Sequence, residues 1–137
     1  MAIPFATDEW VQAFKEAINR DAAYQDAAKN FESDFLFIVE PGGKLEKRVI
    51  IYLDLWHGKC RDAYLVTGEL APSAAFTISG RISTWQKIVK KQLDPMQALM
   101  TPNQLKLKGN MVLMMKNVKS AKALVEVGTQ IDTDFPV

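Results

Sequence analysis

One cysteine, one histidine and no long apolar run set the first limits on this 137-residue chain. Cys60 has no partner for an internal disulfide, and no cluster of Cys and His has a metal-binding spacing. A reducing compartment is the simplest setting for it. No segment approaches the roughly 18 apolar residues of a membrane span. The start, Met1 to Glu9, has neither the basic region nor the apolar stretch of a secretory signal, so the expected location is the cytoplasm. Six prolines and seven glycines are too few for a disordered or collagen-like chain. With 48% hydrophobic and 24% charged residues the composition is that of an ordinary globular protein. One domain over 1–137 is expected, large enough for a core without metals or disulfides.

Groups for catalysis are equally scarce. His57 stands beside Gly58 in a predicted turn, where a solvated residue is the ordinary reading. Cys60 follows closely, but residues flanking a turn more often divide into one wet and one packed than into a reactive pair. Gly42-Gly43 lacks the flanking residues of a phosphate loop, and Asp132 and Asp134 are isolated acids. No catalytic residue, metal or cofactor is expected.

What is present is patterned. Thr7 can cap a first helix, with Asp8 and Glu9 complementing its dipole and Trp10, Phe14, Ala17 and Ile18 on one face. Asp21 opens a second helix with Tyr24, Ala27, Ala28 and Phe31 in register. Phe35 to Val39 reads as a central strand, apolar on both sides. Val49, Ile51, Leu53 and Leu55 alternate along the next strand, the His57-Gly58-Lys59 turn leads into a third at 61–66, and a fourth spans 75–79. Short turns between successive strands predict antiparallel pairing. Ser83 or Thr84 is expected to cap a helix carrying Trp85, Ile88 and Val89, and Asp94-Pro95-Met96-Gln97 is a strong start for another. Gln104 to Lys108 alternates like a half-buried strand. Met111, Met114, Met115, Val118, Ala121, Leu124 and Val125 then keep one helical spacing.

Charge and methionine are unevenly spread. Residues 81–122 hold nine basic side chains against Asp94 alone, a net +8, and the remainder carries −7. Charge blocks are commonly solvated faces, and this one also suits anionic ligands or membrane surfaces. Five of the six methionines fall between 96 and 115. Flexible thioethers serve surfaces that accept varied apolar partners, and they also pack ordinary cores.

The run Ala75-Phe76-Thr77-Ile78-Ser79-Gly80, the segment Asp94 to Thr101, the sequence Leu105-Lys106-Leu107-Lys108-Gly109-Asn110-Met111 and Met114-Met115-Lys116 together resemble the sterol carrier protein type 2 family of lipid-transfer proteins. The likeness is strongest over about 75–117 and extends over about 7–125. It implies an α+β fold with a five-stranded, mostly antiparallel sheet covered by helices on one face. It also implies an apolar tunnel between sheet and helices for fatty acids, acyl-CoA, sterols or phospholipids, without covalent chemistry. Carried onto this chain, the lipid-binding residues would be Phe76, Ile78, Met96, Leu99, Met100, Leu105, Leu107, Met111, Met114 and Met115. Trp85 joins them from Arg81 to Leu93, a segment longer than the family's usual connection, whose extra helix would lid, reshape or block the tunnel. Lys87, Lys90, Lys91, Lys106, Lys108 and Lys116 would meet phosphates of CoA or of an anionic membrane. The C-terminus lacks the Ser-Lys-Leu type signal of peroxisomal relatives, in keeping with a cytoplasmic protein. The alternative is an interaction or dimerisation module of the same fold, with the methionine-rich surface as the contact. Nucleic acid is not an expected partner, because the basic window lacks interleaved aromatics apart from Trp85 and the remainder of the chain is acidic.

Overall fold

The computed structural model describes residues 2–66, 74–94, 97–98, 101 and 104–135. After a short strand β1 (Ile3–Pro4), the chain forms helices α1 (Asp8–Arg20) and α2 (Ala22–Ala27). Both start where their caps predict. The Trp10 N–H donates to Thr7 Oγ1 at 3.2 Å, and the Tyr24 N–H to Asp21 Oδ1 at 2.7 Å. Strands β2 (Glu32–Glu40), β3 (Val49–Trp56), β4 (Lys59–Leu65) and β5 (Phe76–Arg81) follow, then α3 (Ile82–Val89), β6 (Leu105–Gly109), α4 (Met111–Lys116), α5 (Val118–Gly128) and β7 (Thr133–Asp134).

The main sheet has the order β4-β3-β2-β5-β6, with β2 in the centre as its two-sided apolar pattern predicts. Three of its neighbouring pairs are antiparallel, but β2 and β5 run parallel, with Phe35 opposite Phe76 and Phe37 opposite Ile78. The sheet is thus mostly antiparallel, as expected, and its one parallel pair arises because β5 lies beside β2 and not beside β4, which precedes it in the chain.

Alternation divides the sheet into two faces. Phe35, Phe37, Ile51, Leu53, Leu55, Phe76 and Ile78 are buried beneath the helices, while Asp54, Trp56, Tyr64 and the lysines of β6 are turned the other way. Helix α1 seals the free edge of β4. The Asn19 side chain accepts from the Cys60 N–H at 2.8 Å and donates to the Cys60 carbonyl at 3.0 Å, and Gln12 donates to the Ala63 carbonyl at 2.8 Å. Gly58 is required at its turn, because a Cβ there would lie 2.9 Å from the Gln25 backbone and φ is +81°. At Gly80 a Cβ would come within 2.6 Å of Leu105, so this glycine sets the close approach of β5 and β6.

Two helix boundaries differ from expectation. Helix α3 begins at Ile82, directly off β5, with Arg81 at the cap position and no side-chain cap. Ser83 and Thr84 therefore lie inside its first turn, where Thr84 is buried and its hydroxyl donates to Gln104 Oε1 at 3.3 Å. The last helical region is also not continuous. Asn110 caps α4 by accepting from the Leu113 N–H at 3.1 Å, and the chain breaks at Asn117, with φ −122°, before α5. That break changes which side chains face inward.

Candidate ligand-binding site

Between the sheet and the helices lies a cavity of about 20 Å³ walled by apolar side chains and Gly128. Phe37 and Val39 of β2 and Ile51 of β3 form its floor. Trp10 and Phe14 of α1, Trp85, Ile88 and Val89 of α3, and Val125 and Gly128 of α5 enclose it, with Phe5 at one side. Both indoles are anchored at their polar edge: Trp85 Nε1 donates to the Ile38 carbonyl at 3.2 Å and Trp10 Nε1 to Thr133 Oγ1 at 3.0 Å. Trp10 depends on the strap formed by β1 and β7, where Ile3 pairs in parallel with Thr133. Phe5, next in the chain, packs against Trp10 at 4.9 Å and Phe135 at 4.7 Å between ring centroids.

A cavity this small holds about one water, whereas small-molecule sites run to several hundred Å³. The expected tunnel is therefore not an open passage among the described residues. A Cβ placed at Gly128 would stand 4.0 Å from both Phe14 and Trp10, in ordinary van der Waals contact, so this glycine leaves room beside the two rings.

The residues expected to bind lipid divide into three groups. Trp85 lines the cavity, while Phe76, Ile78, Leu105 and Met114 are buried in the same core without lining it, and Leu107 is half-buried. Met96, Leu99, Met100 and the side chain of Met111 lie outside the described residues. Met115 is a correction: it is 73% exposed, because the break at Asn117 gives α4 and α5 separate phases and α4 turns Met114 inward instead. In the sequence Trp10, Phe14, Phe37, Ile51 and Ile88 read only as core or as faces of their elements. Two tryptophans at distant positions, each needing an inward partner for its ring N–H, were the available signal.

The lysines Lys87, Lys90, Lys91, Lys106, Lys108 and Lys116 are all exposed. Lys90 lies 5.8 Å from the Phe135 ring centroid, beside the strap. Elsewhere, Cys60 is a buried thiol whose pKa burial pushes up to about 12, and His57 sits between Lys29 and Glu32 at the surface, its Nδ1 2.9 Å from the Lys29 carbonyl. Among the described residues no group of acidic, Cys and His side chains could hold a metal ion, and no helix is long and apolar enough to cross a membrane.

A family model for SCP-2 sterol transfer matches residues 14–122, which take in the whole main sheet and most of the cavity wall. The chain belongs to the SCP-2 sterol transfer family. Membership implies lipid binding or transfer in general. The crystal structure of a sterol carrier protein 2 is 35% identical with a TM-score of 0.83, over 93% of this chain and 98% of the other. The solution structure of a conserved protein from Thermus thermophilus is 34% identical with a TM-score of 0.82, over 97% of this chain and 93% of that one. A third SCP-2 structure, the UbiJ-SCP2 ubiquinone synthesis protein, shares the fold at 18% identity, with a TM-score of 0.55 over 92% of this chain and 95% of that chain. No curated protein matches the chain.

Proposed function

We propose that this SCP-2 protein is a non-catalytic carrier acting as a single domain over 1–137, holding the apolar part of a lipid-like ligand around Trp10, Phe37 and Trp85. The observation that carries the proposal is the wall of this cavity: every side chain that lines it is apolar, and both indole N–H groups are already satisfied by the protein. Such a wall offers an acyl or sterol body burial at about 0.8 kcal/mol per methylene and makes little demand on the head group. The ligand class is fatty acid, fatty acyl-CoA, sterol or phospholipid. Because the cavity is small, entry requires the helices and the β1–β7 strap to move off the sheet. The exposed lysines Lys87, Lys90, Lys91, Lys106, Lys108 and Lys116 attract the phosphates of a CoA head group or of an anionic bilayer. The protein works in the cytoplasm.

Titration with a fluorescent fatty acid and its CoA ester, read by quenching of Trp10 and Trp85, tests this reading. Saturable binding is expected, and Gly128→Val, which pushes methyl groups between Phe14 and Trp10, should weaken it at least tenfold in a protein with an unchanged circular dichroism spectrum. Equal binding by wild type and Gly128→Val would place the ligand elsewhere.

A second reading is an accessory or dimerisation module without a physiological lipid. The cavity of about 20 Å³ favours it, since the described core is already nearly filled. An empty protein that binds neither probe and runs as a stable dimer would select it.

A further inference from the structure

We propose that α4 docks the protein on an anionic lipid bilayer, laying Val112, Leu113 and Met115 into its surface with Lys116 against the lipid phosphates. The proposal rests on the carrier reading and deepens it by naming the face that meets the donor or acceptor membrane.

Val112 is 67% exposed, Met115 73% and Leu113 38%, all on a helix of six residues in which, among the described side chains, Met114 alone is buried. These three are among only five large hydrophobic side chains that stand exposed among the described residues, and the other two lie on β3 and β4. At 100° per residue, Lys116 falls on the outward arc between Val112 and Leu113, opposite Met114. A cation inside an outward apolar arc suits an interface that is apolar below and anionic above, because the lysine stem can lie along the apolar groups while its ammonium reaches the phosphates.

The surrounding sequence has the matching charge. Between Asp94 and Glu126 the chain carries five lysines and no carboxylate. Of these, Lys122 pairs with Glu126 at 3.9 Å, and the others have no ion-pair partner among the described residues. A second copy of this chain fits the patch less well. A two-fold contact through α4 would bring two copies of this lysine-bearing segment together with no carboxylate between Asp94 and Glu126 to offset them. An anionic bilayer meets both features at once, with each lysine held near its surface strengthening binding roughly fivefold.

The full chain is tested by co-sedimentation with vesicles of phosphatidylcholine alone or mixed two to one with phosphatidylglycerol. Binding to the anionic vesicles only, falling as salt is raised, is expected. Val112→Asp and Lys116→Glu should each lower it about tenfold. Lys59→Glu, the same change of charge on β4, should leave it within about twofold. Fatty-acid binding without vesicles separates the two proposals, and Val112→Asp should leave it unchanged. A wild type that binds fatty acid but no vesicle overturns docking alone, whereas one that docks by this pattern but binds no fatty acid supports docking and removes the carrier reading. Docking is also overturned if Val112→Asp binds vesicles like wild type, if Lys59→Glu loses as much as Lys116→Glu, or if Val112→Asp dissolves a dimer that binds no vesicle.

Discussion

At the β4 edge of the sheet α1 lies along the strand, and Asn19 and Gln12 take up backbone groups that an edge strand leaves open, whereas at the β6 edge Lys106 and Lys108 stand exposed and α4 turns apolar side chains outward. Both treatments guard an edge against pairing with other chains, one by covering it and one by charge. Their consequences differ. The covered side is fixed by polar contacts between distant parts of the chain, so it can act as the scaffold. Among the described residues the charged side makes fewer such contacts, and its exposed side chains can meet something outside the protein.

Core truncation should show the difference most strongly. Leu53→Ala on β3, fully buried beneath the helices, is expected to cost about 2–5 kcal/mol in urea unfolding, and Leu107→Ala on half-buried β6 about 1–2 kcal/mol. Equal losses would break the comparison. Alkaline pH should act next, and on the covered side. Burial raises the Cys60 pKa from 9.0 to about 12, so the folded state holds a proton that the unfolded chain releases first. The stabilisation is complete below pH 9 and is lost as pH rises toward 12, at about 1.4 kcal/mol per pH unit. Tyr24, also raised by burial, and Tyr52, raised to about 12 by partial burial and its hydrogen bond to Asp34, add to the slope, so Cys60→Ala should make it shallower but not flat. Asn19→Ala leaves both Cys60 backbone groups without their partner and should cost about 2 kcal/mol in the same unfolding assay; a loss near zero would show that the edge does not need its cover. The smallest effect has the opposite sign. Among the described residues the buried Tyr24 hydroxyl has no hydrogen-bond partner, so Tyr24→Phe should stabilise by about 1 kcal/mol.

Local chemistry made much of this fold legible. Thr7, Asp21 and Asp94 each cap where the sequence places them, the last through the Gln97 N–H at 3.1 Å, because a cap is a contact across three residues. Alternation in Val49 to Trp56 likewise fixed which face is buried. The parallel pairing of Phe35 with Phe76 was not legible, since nothing near either residue encodes a partner 41 positions away. Met115 faces inward only if one helical spacing runs through Asn117, and there the backbone resets the phase. The cavity was hidden for a similar reason: Trp10, Phe37, Trp85 and Val125 come from four separate elements, and only packing brings them together. Residues that look like ordinary core in the sequence form its wall.

Native mass spectrometry of the purified protein, followed by organic extraction of whatever it carries, tests the carrier account most directly. The account predicts an added mass that disappears under denaturing conditions and reappears in the extract as a fatty acid, acyl-CoA, sterol or phospholipid. A bare protein that stays bare after incubation with these lipids, and that runs as a tight dimer, would contradict it.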